Sequence, residues 1–235
     1  MRRKASFRSL PLLLALLAVG CNDDPAPTGN EPPPSTTTAP ASAGTAHLRG
    51  AQFSEDARSV DLVANGVVLA RGIDYGGVGP YAQLTPGEYR IQFFPEGDHA
   101  VPLIETRLSL RSNQAVTVAI VGETTEILDV SHERSTRSDR ARLTMVNAVP
   151  DFPAPFDLAI QNGPSLFRGV RYRQSSGTEE IIPGVYGFEL RRAGTTEELA
   201  TITGQGLSSG ANYTVYAIGT LSRDNIELVV TRDTF

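Results

Sequence analysis

The chain has 235 residues, 40% of them hydrophobic, with 21 basic and 26 acidic side chains, a formal net charge of -5 and one cysteine. The acidic balance excludes attraction to a nucleic-acid backbone or an anionic lipid surface, and a single thiol excludes a disulfide framework. Such a chain must be held together by apolar burial.

Arg2, Arg3, Lys4 and Arg8 form a positive N-terminal region, followed by an apolar run over residues 10–20 interrupted by Pro11. This is the pattern of a secretory signal, and the run is shorter than the roughly 20 residues that span a bilayer. Ala18-Val19-Gly20-Cys21 resembles the lipobox of bacterial lipoproteins. The resemblance implies cleavage before Cys21, acylation of its sulfur and amine, and attachment to the cell membrane or outer membrane, facing the periplasm or exterior. Several acyl chains give the stable attachment that one chain does not. The competing readings are an ordinary signal peptide cut nearby and a buried N-terminal helix. Loss of residues 1–20 removes four cations and takes the formal charge from -5 to -9.

Residues 21–46 comprise Cys21 and a Pro/Thr/Ser-rich stretch with Pro32-Pro33-Pro34 and Thr36-Thr37-Thr38. It has no apolar periodicity and reads as a disordered tether. The remainder repeats itself: a shift of 97 positions aligns the two halves without a gap from Asn65 to Gly122. Asn65-Gly66 falls on Asn162-Gly163, Arg71-Gly72 and Tyr75 on Arg168-Gly169 and Tyr172, and Pro86-Gly87 and Tyr89 on Pro183-Gly184 and Tyr186. Gly97 falls on Gly194, and Asp61 on Asp157 after a slip of one residue. Residues 47–130 and 141–235 are therefore expected to be two copies of one fold, with the polar residues 131–140 linking them.

Within each copy the apolar period is two. Tyr89, Ile91 and Phe93 alternate with Arg90 and Gln92, and Val116, Val118 and Ile120 with Thr117 and Ala119. This predicts half-buried strands separated by Asn-Gly, Pro-Gly and glycine-rich turns. The expected fold class is all-β: two tandem antiparallel β-sandwiches, immunoglobulin-like or transthyretin-like. In Pro-Gly-x-Tyr, proline presets a turn, glycine is expected at positive φ, and tyrosine opens a strand, sending its hydroxyl to nearby backbone.

The second copy reads LTMVNAVPDFPAPFDLAIQNG, then IIPGVYGFELRRAGT and YTVYAIG; the first reads SVDLVANG, LTPGEYRIQFFPEGD and VTVAIVG. These segments resemble the domain-of-unknown-function family 4397, with its His-Ala-Ser-Pro-Asp-Ala-Pro-like opening, its Pro-Ala-Gly-Thr-Tyr turn and its closing Tyr-Thr-Val-x-Ala-x-Gly strand; in the second copy Asn147-Ala148-Val149-Pro150-Asp151 stands at the opening, with the histidine replaced. In the first copy Gly50-Ala51-Gln52-Phe53 stands at the opening, without Pro-Asp. The resemblance implies exported β-rich modules, often lipid-anchored, with no catalytic residues to carry over.

Residues of chemical interest lack the surroundings that chemistry needs. Gly206-Leu207-Ser208-Ser209-Gly210 matches Gly-x-Ser-x-Gly, yet a strand-like segment follows and no histidine comes later. His47, His99 and His132 have no metal-ligand spacing. Asp151 and Asp157, or Glu55, Asp56 and Asp61, lack the order of a calcium loop, so Asp61 and Asp157 are read as bonding turn backbone. Gly72 to Gly79 opens no helix and is no phosphate cradle.

The expectation is a non-enzymatic structural or interaction module of the cell envelope, without cofactor or metal. Its partners would be the membrane, through the lipid, and an envelope protein or polysaccharide. Alternatives are a carbohydrate-binding or adhesion module and an unrecognised hydrolase. Candidate contact residues are Arg71, Tyr75, Arg168 and Tyr172, although turn geometry and core tyrosines are the first reading of these positions.

Overall fold

The computed structural model describes residues 44–122, 126–132 and 138–234. Cys21, the signal and the tether lie outside the described residues. The described residues contain no helix. They form sixteen strands: β1 Ala46–Phe53, β2 Val60–Ala64, β3 Val67–Ile73, β4 Ala82–Leu84, β5 Gly87–Pro95, β6 Ile104–Leu110, β7 Ala115–Val121, β8 Glu126–His132, β9 Ala141–Asn147, β10 Phe156–Ile160, β11 Ser165–Val170, β12 Ser175–Ile181, β13 Gly184–Arg192, β14 Glu198–Leu207, β15 Asn212–Ile218 and β16 Glu227–Asp233.

Each repeat is a pair of four-stranded sheets. In the first they run β4-β1-β7-β8 and β3-β2-β5-β6; in the second β12-β9-β15-β16 and β11-β10-β13-β14. The two orders are identical strand for strand, as an internal duplication requires. β1 pairs parallel with β7, and β9 parallel with β15, while the other pairs are antiparallel. The expected antiparallel sandwich therefore carries one parallel pair per repeat. A long connection is needed between parallel neighbours, and here the chain passes through the other sheet before returning.

The core of the first repeat lies between its two sheets, with Leu48, Leu62, Ile91, Phe93, Val116, Val118 and Ile120 buried together. The second is built the same way from Leu143, Met145, Phe156, Leu158, Phe188, Leu190 and Val215. Alternating residues supply these faces, as the period of two demands.

The prediction of half-buried strands fails in one respect. All of β7 is buried, Thr117 and Ala119 included, and so is β15 from Tyr213 to Ile218. The second face of each of these strands packs against the other repeat. Ala51, Phe53, Ala119 and Val121 meet Val146, Ala148, Tyr216 and Ile218 in a third apolar cluster, which we call the seam. Two sheets packed through both faces give strands with no solvated side. The described residues accordingly fall within one compact unit, Pro40–Phe235.

Two further local expectations are revised. β8 runs to His132, so the first two residues of the expected linker belong to a strand. Gly87 has the expected positive φ, at 157°, whereas Gly184 is not among the positive-φ glycines. The glycine is already paired in the ladder, Gly87 opposite Leu110 and Gly184 opposite Leu207, so the strand begins two residues before the tyrosine. The tyrosines behave as expected: Tyr89 Oη donates to the Thr85 carbonyl at 2.8 Å and Tyr186 Oη to the Ile182 carbonyl at 2.7 Å. Asn65 (φ 48°) and Gly66 (φ 80°) make the two-residue turn between β2 and β3, where both positions need left-handed backbone.

Candidate functional site

Two aspartates organise the same loops in the two repeats. Asp61 on β2 is fully buried and accepts hydrogen bonds from Gly72 N at 2.8 Å and Gly97 N at 3.2 Å. Asp157 on β10 accepts from Gly169 N at 2.7 Å and Gly194 N at 3.0 Å. Both glycine pairs were matched by the internal repeat, and the aspartates bond turn backbone as expected. Each ties the end of β3 or β11 to the turn after β5 or β13. Asp61 also meets His99 Nε2 at 2.8 Å and Arg71 at 3.6 Å. Burial opposes its charge, but the Gly72, His99 and Gly97 donors outweigh burial and hold its pKa below the ordinary aspartate value.

The clamped loops border an opening in each repeat. In the first, residues 70–74 and 77–80 line an open groove of about 440 Å³. Arg71 and Asp74 stand in it; the Arg71 side chain is 66% exposed, and Asp74 Oδ1 accepts a hydrogen bond from Ser59 Oγ. In the second repeat, a smaller pocket of about 170 Å³ is lined by Phe152, Pro153, Ala154, Pro155, Arg171 and Tyr172. The aligned halves place Arg171 where the first repeat has Asp74, and Tyr172 where it has Tyr75.

The four candidates read from sequence therefore separate. Arg71 lines the first groove, and Tyr172 lines the second pocket while also packing on the seam. Tyr75 packs on the seam cluster, which fits its reading as a core tyrosine. Burial, with the Glu227 and Glu55 carboxylates nearby, pushes its hydroxyl pKa up. Arg168 is exposed on β11 and lines neither opening. Arg171 and Phe152 were missed. The signal for Arg171 was available, because the shift of 97 sets it on Asp74 and reverses the charge at a shared loop position.

The seam also holds a polar network that sequence reasoning missed. Arg49, 2% exposed in the middle of β1, donates to Thr117 Oγ1 at 2.8 Å, Tyr216 Oη at 3.2 Å and Asp233 Oδ1 at 2.5 Å. Thr214 Oγ1 donates to the other oxygen of Asp233 at 2.8 Å. The guanidinium lies 4.3 Å from the centre of the Tyr81 ring. Burial works against the Arg49 charge, yet Tyr216, Tyr81 and Asp233 raise its pKa above the ordinary value. Arg49, Thr117 and Tyr81 come from the first repeat, and Tyr216, Thr214 and Asp233 from the second. At the rim, Arg223 donates to Glu55 at 2.5 Å and Asp56 at 2.7 Å, again across the seam.

Other residues of chemical interest serve the loops. Asp151 accepts from Leu221 N at 2.7 Å and Ser222 N at 2.8 Å; burial opposes its charge, but these bonds lower its pKa. The Gly206–Gly210 segment turns from β14 into β15, so the strand-turn-helix setting of a nucleophile elbow is not formed there. Among the described residues no group of three or more His, Cys, Asp or Glu side chains is arranged to hold a metal.

No curated protein shows significant sequence similarity to this chain. Among solved structures, a Bacillus anthracis TIE protein is 11% identical with a TM-score of 0.24, covering 75% of this chain and 34% of its own. A carbohydrate-binding module of family CBM26 from Eubacterium rectale Amy13K, in complex with maltoheptaose, is 8% identical with a TM-score of 0.28, covering 81% and 98%. A streptococcal virulence factor described for α-glucan binding is 10% identical with a TM-score of 0.23, covering 77% and 95%. Scores of this size assign no ligand to the chain. A family profile matches residues 46–154 and again 141–235, one match for each repeat. The chain belongs to the family known as the domain of unknown function DUF4397.

Proposed function

We propose that the protein is a non-enzymatic interaction module of the bacterial envelope, anchored by lipid at Cys21 and held off the membrane by residues 22–46. The supporting observation is the seam: two sandwiches joined back to back present their clamped loops as parts of one body. Binding groups are commonly carried on loops over a rigid scaffold, and here Asp61 and Asp157 fix those loops. The groove at Arg71 and the pocket at Tyr172 are the surfaces offered to a partner.

The anchor is tested by palmitate labelling and membrane fractionation of the wild type and Cys21→Ala. Labelling that depends on Cys21, with release of the variant from the membrane, is expected; labelling that survives the substitution would overturn the anchor. Crosslinking in the native envelope followed by pulldown should recover a defined protein or polymer. Repeated recovery of nothing would overturn the interaction role.

A further inference from the structure

Several arginines in this structure are paired with carboxylates. Arg49 meets Asp233, Arg71 meets Asp61, Arg90 meets Glu105, Arg191 meets Glu189, Arg192 meets Glu197 and Arg223 meets Glu55 and Asp56. Arg171, like Arg58, Arg107, Arg111, Arg168 and Arg232, has no such pair among the described residues. It is exposed at the lip of the second-repeat pocket.

The pocket walls explain why a partner is missing. Phe152-Pro153-Ala154-Pro155 and Tyr172 provide apolar surface and no carboxylate. Phe152 is held in place by Phe156, at 4.6 Å between ring centres, and by the Arg192 guanidinium 4.8 Å from its ring centre. Arg192 is itself occupied by Glu197 at 2.6 Å, leaving Arg171 as the cation free to receive a ligand. A guanidinium grips a carboxylate with two parallel hydrogen bonds in a planar fork that a lysine cannot match.

The first repeat offers a mixed surface, with both Arg71 and Asp74 in its groove. Its groove has Asp74 at the matching position, and a Cβ built on Gly72 would lie 2.8 Å from Glu96 Oε1, so a second carboxylate borders that groove. The charge at this one loop position is thus reversed between the two copies. The pocket volume of about 170 Å³ is below the roughly 300–1,000 Å³ of sites for drug-sized ligands, which restricts it to one small ring. Flat walls of proline and tyrosine suit the C–H face of a pyranose.

We infer that the pocket of the second repeat binds a carboxylate-bearing sugar, a uronic-acid unit of an acidic polysaccharide, with Arg171 on the carboxylate and Tyr172, Pro153 and Pro155 against the ring. The inference rests on the interaction role proposed above and names its ligand class.

The test is titration of the purified whole chain with D-glucuronate, oligogalacturonate, D-glucose, acetate and a polyglutamate peptide, followed by NMR or calorimetry. Saturable binding of the two uronates is expected, with glucose and acetate at least tenfold weaker. Arg171→Gln should weaken uronate binding at least tenfold, and Arg171→Asp should abolish it. Arg107→Gln, on an exposed strand of the first repeat, should leave it unchanged, and circular dichroism should show every variant folded. Four outcomes would overturn the inference: glucose bound as well as glucuronate, uronate binding insensitive to Arg171, preference for polyglutamate, or no uronate binding by the folded protein. Pulldown from the native envelope is read separately. A recovered partner with no uronate binding removes only the ligand class and leaves the interaction role standing.

Discussion

Replacing Asp233 by asparagine removes one charge from the seam while nearly keeping its shape. Arg49 and Asp233 side chains are each 2% exposed and 2.5 Å apart, so the variant leaves a cation with no neutralising partner and almost no water. Thr117 and Tyr216 continue to accept from it, but neither carries charge. Breaking a buried pair in this way costs about 3–5 kcal/mol, which is roughly two to three and a half decades in the unfolding constant. Urea unfolding of the whole chain, followed by circular dichroism and tyrosine fluorescence, reads the loss as a lowered midpoint with an unchanged slope. Arg49→Met should also destabilise, because it removes the guanidinium from the buried Asp233 carboxylate. The double variant Arg49→Met, Asp233→Leu should regain most of the loss, since apolar packing commonly replaces a buried pair without penalty. A cost under about 1 kcal/mol for Asp233→Asn is the value of a solvated surface pair. That result would refute the claim that the seam is closed.

Other expectations follow from the clamps and turns. Asp61→Ala leaves the Gly72 and Gly97 N–H groups without their acceptor and should cost about 2–3 kcal/mol in the same urea assay. Because Asp61 has a lowered folded pKa, its contribution is complete above the unfolded value of about 3.9 and is lost as pH falls through the lower folded value. The stability gap between wild type and Asp61→Ala should therefore hold at neutral pH and close in acid; a gap that widens in acid contradicts the assignment. Gly219 has φ 92°, and a Cβ there would lie 2.4 Å from the Asn225 carbonyl oxygen, so Gly219→Ala should lose more than about 1 kcal/mol by thermal or urea unfolding. Tyr89→Phe removes one partly exposed hydrogen bond to Thr85 and should cost only about 0.5–1.5 kcal/mol, with the fold intact by circular dichroism.

Much of this architecture was legible in the residues themselves. The shift of 97 positions predicted matching strands, and the asparagine, proline and tyrosine landmarks fall at matching turns in both sandwiches. Asp61 and Asp157 could be read as turn acceptors because a short carboxylate at a strand start reaches nearby N–H groups. The seam could not be read in the same way. Thr117 and Ala119 look like a solvent face, since small and weakly polar side chains fit either water or a close sheet-to-sheet contact. Arg49, in a strand that also carries His47 and Gln52, looks like an exposed charge until Asp233, 184 positions away, is brought beside it. Period-two patterning also carries no strand direction, so the parallel β1–β7 pair was invisible. Candidate site residues chosen for recurrence, such as Tyr75, turned toward the seam, whereas the charge reversal from Asp74 to Arg171 lay in the positions that differ.

The account stands on the two repeats behaving as one body. Residual dipolar couplings measured on the aligned whole chain give an alignment tensor for residues 46–121 and another for residues 141–233. One shared tensor, in magnitude and orientation, is the predicted result, and Asp233→Asn should begin to separate the two. Distinct tensors in the wild type, as from two beads on a string, would contradict it.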